Sequence, residues 1–181
     1  CDGPVFVYAG TVAQWLAPEV FVDAFERARA RLGDARLVFV GQGSGWDALA
    51  ERSCGVTGVE MIPAVSAEEA DRWMARAAAT LASLRPGGYD YAYPTKILAS
   101  LAQGTPVIYA GPGQAASDVA EGELGVACNL DVDEVAEAMV GLASGTAAWV
   151  GAEGARAWVS AHRSVEASSR AAAAVVRSAL A

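Results

Sequence analysis

The sequence predicts an α/β protein built on a parallel sheet of about six strands with helices on both faces. Three observations carry this expectation. Short apolar runs alternate with longer helical segments along the whole chain; each run is mostly apolar on both parities, as befits strands covered on both faces; and glycine follows most of the runs, where strand must turn into helix. Right-handed crossovers leave few other arrangements for such an order.

The elements can be justified in turn. "VFVYAG" (5–10) reads as the first strand, and Pro18 inside "APEVFVDAFERARARLG" suits a first helical turn that Gly33 ends. "RLVFVG" (36–41) and "GVEMIP" (58–63) follow as strands. Ser66 and Glu69 make the S-x-x-E capping box ahead of "ADRWMARAA". After "ATLASL" (79–84) comes "YAYPTKILASLAQG", with Pro94 at the first helical position and Gly104 as the stop. "PVIYAG" (106–111) and "GVACNL" (125–130) complete the strands, Asp131 with Glu134 caps "VAEAMVGLA", and further helices close the chain.

Composition narrows the function classes. With 181 residues, 54% hydrophobic and a mean hydropathy of +0.28, the chain can bury a sizeable core, and residues 1–181 are expected to form one domain. The opening "CDGPVFVYAG" lacks a methionine and a signal-like apolar region, so the sequence reads as a piece of something longer. No apolar run reaches the roughly 18 residues a membrane span needs. A net charge of −8 without a basic block argues against nucleic acid as a partner. Cys1, Cys54 and Cys128 lack metal or disulfide spacing and are expected as reduced core residues of a cytoplasmic protein.

Ligands of such sheets sit at the carboxyl ends of the strands. One residue there stands out. Lys96 is the single lysine among 13 basic residues, and it lies in the first turn of a helix, where a cation is unfavourable by about 0.3–1 kcal/mol when exposed. An anion would reverse that sign, because the free N–H groups of Thr95 and Lys96 and the ammonium would all face it. Lys96 is therefore expected to hold phosphate as a compact point charge, a role guanidinium does not fill equally; a surface lysine reaching for solvent is the competing reading. Arg85, closing a strand on the same edge, is a second candidate, with a loop anchor as its alternative. Trp15 either lines the pocket or staples the following helix.

Other motifs carry less. "GQGSGW" (41–46) breaks the G-x-G-x-x-G spacing of dinucleotide sites, and "DVD" (131–133) is better explained as a helix cap than as a metal site. His162 lies far from every strand end, and no nucleophile has a convincing partner. No cofactor and no metal are expected.

"YPTKILASLAQGTPVIYAG" resembles the P-[ST]-K-[LI]-x-E-Y-x-A-x-G-x-P-V-[IL] segment in the carboxyl half of GT-B glycosyltransferases, particularly the family 4 group. "FVYAGTVAQWLAPEVFVDAFERA" is similar to the opening strand, turn and helix of that half, and the likeness spans roughly residues 5–145. The resemblance implies a Rossmann-like half that binds a nucleotide-diphosphate sugar, while an amino-terminal domain outside this sequence binds the acceptor and supplies the base. It implies metal-independent, retaining transfer in polysaccharide or glycolipid synthesis, with membrane contact only through the full-length protein. By position it places Gly10 and Thr11 near the diphosphate, the backbone of Ala64 and Val65 near the base, Tyr93 beside the pocket, and Thr95 and Lys96 near the phosphates. The family's two glutamates correspond to Tyr91 and Ala99, neither of them a carboxylate. A degenerate nucleotide-binding or protein-interaction domain, a hydrolysing sugar-nucleotide epimerase half and a flavodoxin-like regulatory domain are the alternatives.

Overall fold

The computed structural model describes residues 3–179, excepting the side chain of Ala179. Six strands, β1 (Val5–Thr11), β2 (Arg36–Gln42), β3 (Val59–Pro63), β4 (Ala79–Ser83), β5 (Val107–Ala110) and β6 (Gly125–Cys128), form one parallel sheet in the order β3-β2-β1-β4-β5-β6. The helices are α1 (Glu19–Leu32), α2 (Trp46–Ser53), α3 (Ala67–Ala75), α4 (Thr95–Gln103), α5 (Gln114–Glu121), α6 (Val132–Ser144), α7 (Gly151–His162) and α8 (Val165–Ala179). This is the Rossmann-like arrangement expected from the sequence.

Packing follows the pattern of apolar residues. On one face Phe21, Phe25 and Ala28 of α1 and Val135, Ala136 and Met139 of α6 bury against Phe6, Tyr8, Leu37 and Phe39. On the other, Ile97 and Leu101 of α4, Val119 of α5 and Ala155 of α7 cover Ala82, Val107 and Tyr109, while Met74 of α3 meets Val7, Val38 and Val40. The edge strands depart from full burial: β3 and β6 are only half-buried, because each has a neighbouring strand on one side alone.

The capping residues behave as their chemistry requires. Ser66 accepts from the Glu69 N–H, and Asp131 accepts from Asp133 and Glu134 while Glu134 accepts from Asn129. Pro18 and Pro94 stand one residue earlier than expected, as N-caps, and α4 ends on Gly104 at φ 79°. Cys54 is a correction to the expected core cysteines. It is exposed at the end of α2, where the helix has run out of apolar face, while Cys128 is half-buried and Cys1 lies outside the described residues.

Two strands part where the chain reverses direction across the sheet. β1 and β4 pair at Phe6–Ala79 and Val7–Thr80, although β1 runs on to Thr11 and β4 to Ser83. The gap above that short ladder is the crevice that this topology provides for ligands. A single 3-10 turn, Gln14–Leu16, closes its flank through the Ser83 hydroxyl donating to the Leu16 carbonyl and the Arg85 N–H donating to Trp15 at 2.9 Å.

Candidate functional site

The site begins with Lys96. From the first turn of α4 its side chain crosses to the end of β1, where Nζ lies 3.4 Å from the Thr11 carbonyl oxygen and 3.4 Å from the centroid of the Tyr8 ring. Gly10 lies beside it, at a φ of +121° that favours glycine; a Cβ there would meet Lys96 Cε at an ordinary contact distance of 3.8 Å. Tyr8 is fully buried, tilted against Phe21 and Phe39, and its hydroxyl donates to the same Thr11 carbonyl at 2.9 Å. The aromatic ring and the carbonyl thus form a fixed negative floor under the ammonium.

No carboxylate pairs with Lys96 among the described residues. Burial without a counter-ion brings its pKa down to about 7, since a desolvated ammonium is costly and one ring face and one carbonyl compensate it only in part. The Tyr8 hydroxyl is pushed above its ordinary value, first by burial and then by the Glu19 charge, so it stays protonated. The first-turn N–H groups of Thr95 and Lys96 have no earlier helical carbonyl to bond, and Thr95 is exposed. Ammonium, helix end and open crevice coincide. Such an arrangement can hold a diphosphate and stabilise negative charge developing on it.

The remaining expected residues divide into two groups. Val65 and Ala99 both pack on the cluster of Val7, Ala9, Val40 and Met74, beside the Lys96 cluster, with Ala64 exposed next to them. Arg85 and Tyr93 are drawn elsewhere. Arg85 Nη2 lies 2.7 Å from Glu19 and its Nε donates to the Gln14 carbonyl at 3.3 Å, so the guanidinium ties the end of β4 to the start of α1. Tyr93 packs under Arg163, whose guanidinium sits 4.8 Å over its ring and pairs with Asp118. The Tyr93 hydroxyl is buried beside the Asp118–Arg163 pair, and burial, then the Asp118 charge, pushes its pKa up.

Trp15 is 40% exposed, with its ring 5.2 Å from Tyr89, while the neighbouring Leu16 is buried with Ala13, Leu84 and Ile97. His162 stacks on Trp158 at 4.9 Å on α7. Sequence reasoning missed Tyr8 as the seat of the lysine and Asp118–Arg163 as the clamp on the loop before α4. A tyrosine at the penultimate inward position of β1 was the one local signal. Among the described residues no three His, Cys, Asp or Glu side chains gather as a metal site would require. A cavity of about 880 Å³ lies at the opposite end of the sheet, lined by Val5, Arg36, Arg72, Trp73 and Arg76, and shares no residue with the Lys96 cluster.

A family model described as "Glycosyl transferases group 1" matches residues 3–144. The chain belongs to that family. A comparison with curated proteins found no match. Among solved structures the chain is similar to HepE of Anabaena in complex with UDP, at a TM-score of 0.77 and 17% identity, covering 98% of this chain and 49% of that one. It is also similar to WaaG, a glycosyltransferase involved in lipopolysaccharide biosynthesis, at a TM-score of 0.69 and 18% identity, covering 88% and 43%. The C-terminal domain of LpcC of Francisella tularensis matches at a TM-score of 0.70 and 13% identity over 90% of this chain and 87% of that one. At these identities the likeness is one of fold. The group 1 chain spans about half the length of HepE and WaaG and corresponds to the carboxyl-terminal half of a GT-B fold.

Proposed function

We propose that this chain is the donor-binding half of a glycosyltransferase that moves a sugar from a nucleotide-diphosphate sugar to an acceptor. The observation that carries the reading is the Lys96 ammonium, unpaired with any carboxylate among the described residues, set between the start of α4 and the end of β1 where the β1–β4 ladder opens. That HepE was solved with UDP and with UDP-glucose supports a uridine nucleotide as the first donor to test.

In this reading Lys96 and the first-turn N–H groups of α4 take the two phosphates. As the glycosidic bond to the diphosphate breaks, its growing charge falls on donors already oriented, which lowers the barrier without a metal. Gly10 keeps the end of β1 low enough for the diphosphate to approach, and Ala64 and Val65 offer backbone groups to the base. The acceptor and any base come from an amino-terminal half, since transfer needs donor and acceptor held together. Retention at the anomeric carbon, a role in polysaccharide or glycolipid synthesis, and action in the cytoplasm or at the inner membrane face belong to the same proposal. Among the described residues no helix is long and apolar enough to cross a membrane.

Tyr91 and Ala99 favour a second reading, in which the domain binds nucleotide without transfer, because neither can make the carboxylate contacts that the family resemblance leads one to expect. Calorimetric titration of the full-length protein with UDP, GDP and ADP tests the first reading. Saturable binding of one nucleotide, weakened about tenfold, or 1.4 kcal/mol, by Lys96→Ala, is the expected result; equal affinities for both proteins overturn it. Sugar transfer by the full-length protein would end the second reading.

A further inference from the structure

The helix that carries Lys96 is gripped at both ends by α7. At its carboxyl end Arg156 Nε and Nη2 donate to the Ala102 and Gln103 carbonyls at 3.2 and 2.7 Å, in the last turn, where a helix leaves carbonyls without a following N–H. Gly104 follows so closely that a Cβ there would stand 2.6 Å from Arg156 Nη2 and 2.8 Å from Ala152 Cβ. At the other end Arg163, the C-cap of α7, lies 4.8 Å over the ring of Tyr93, the residue directly before the N-cap Pro94. The two arginines are seven positions apart, about two helical turns or roughly 10 Å of rise, and the nine residues of α4 span about 13 Å. The helices therefore run antiparallel, with one arginine near each end of α4.

We propose that α7 sets the position of the Lys96 ammonium, with Arg163 as the positioning residue that acts through Tyr93 on the start of α4. The inference rests on the nucleotide-sugar reading above and names a residue that reading does not use. The link to Lys96 is covalent and short. Tyr93, Pro94, Thr95 and Lys96 are consecutive, and Tyr93 packs on the same cluster as Ile97 and Leu101. Local chemistry does not fix this end of the helix: Pro94 makes no side-chain capping bond, and the ammonium meets β1 through a 3.4 Å contact to the Thr11 carbonyl and the face of the Tyr8 ring. Where α4 starts depends on what holds Tyr93.

What holds it is a knot of three elements. Asp118 comes from α5, Arg163 from the end of α7 and Tyr93 from the loop before α4. Arg163 Nε donates to Asp118 Oδ2 at 3.1 Å and Nη2 pairs with the same oxygen, while Gln114 Nε2 donates to Oδ1 at 2.9 Å. The Tyr93 hydroxyl is buried beside the pair. A planar guanidinium can pair in its plane and stack through its face at once, which is how one side chain ties the carboxylate to the ring. A group that holds charge must stand within a fraction of an ångström of its working place, and a shift of about 1 Å can cost on the order of a hundredfold. Release of Tyr93 should accordingly be felt at Lys96.

The test is calorimetric titration of the full-length protein with UDP, GDP and ADP, alongside its Arg163→Ala, Tyr93→Leu, Lys96→Met and Asp131→Ala variants. Two double variants join them, each combining Lys96→Met with one of the first two substitutions, and thermal melts check every fold. Tyr93→Leu removes the stacked ring and leaves the Asp118–Arg163 pair, so it carries the test if Arg163→Ala does not fold. The expected result is that Arg163→Ala and Tyr93→Leu each weaken the nucleotide that binds by about fivefold or more, and by less than about twofold once residue 96 is methionine, because the place of a missing ammonium no longer matters. Asp131→Ala, which loosens the start of α6, should bind as the wild-type protein does, and this separates positioning from loss of stability. Wild-type affinity in a folded Tyr93→Leu or Arg163→Ala protein overturns the inference. Losses that persist in full in the double variants overturn it too, since the knot would then act independently of Lys96. Failure of the wild-type protein to bind any of the three nucleotides, or equal affinity in Lys96→Met, is a different result: it sinks the nucleotide reading, and this inference with it.

Discussion

Nucleotide affinity should fall as pH rises above 7, and Lys96 should be the cause. The pKa of the empty-site lysine is brought down to about 7 by burial over Tyr8 with no carboxylate at hand. A bound diphosphate supplies the missing counter-charge and raises that pKa, so binding takes up a proton wherever the free lysine is neutral. Between pH 7 and pH 9 the protonated fraction of the free site drops from about one half to about one hundredth, which weakens binding roughly fifty-fold if the bound lysine stays charged throughout. Titration with UDP at pH 7, 8 and 9 reads this directly, because UDP is fully ionised over most of that range. Lys96→Met, which keeps the apolar stem and loses the proton, should bind weakly and show no slope. Stability runs in the opposite sense: the folded state resists the proton, so the cost of a charged Lys96 is complete below pH 7 and is relieved as pH climbs toward the unfolded value near 10.5. A flat affinity profile for the wild-type protein would refute the reasoning, as it would mean that the lysine is already charged or is not at the diphosphate.

Three further predictions concern the scaffold around the site. Arg163→Ala leaves the Asp118 carboxylate, whose side chain is 10% exposed, with only the Gln114 amide and the Tyr93 hydroxyl as donors, and should cost about 2 kcal/mol in urea unfolding. Burial opposes ionisation of Asp118, but hydrogen bonds from Gln114 and Arg163 hold its pKa below the usual range; its contribution is therefore present above that range and lost as pH falls through the folded value, a loss that Asp118→Asn should abolish in acid melts. Asp131→Ala removes the acceptor for two N–H groups at 3.0 Å each at the start of α6 and should destabilise by about 1–2 kcal/mol with no change in nucleotide affinity.

The parts of the fold legible in the sequence are those decided within a few neighbouring residues. Strand ends came within two residues because apolar runs stop where turns begin, and Ser66, Gly104 and Asp131 mark helix ends by chemistry local to a single turn. The place of Lys96 in the first turn of α4 was legible for the same reason. Its setting was not. Tyr8 stands 88 positions away, Glu19 meets Arg85 across 66, and Trp15 reaches Tyr89 across 74; each pairing exists only because β1 and β4 are brought side by side at the point where the sheet's order reverses. Exposure of Cys54 was illegible too, since a small residue at the last turn of a short helix carries no periodicity to say which way it faces.

The preference for lysine at position 96 follows from the seat beneath it. A guanidinium is planar, wider than an ammonium and keeps its charge at any pH the fold survives, so Lys96→Arg would have to bury a permanent cation over Tyr8 in the space that Gly10 leaves, or turn outward. Lysine avoids that dilemma in this reading, since above pH 7 the empty site leaves it mostly neutral and a bound anion would return the proton. The Arg variant should accordingly bind UDP with no pH slope between 7 and 9, and should melt lower than Lys96→Met, in which nothing charged is buried. An Arg variant that matched the wild-type protein in affinity, slope and melting temperature would show that the position needs only a cation, and that the single lysine of this chain is an accident of composition.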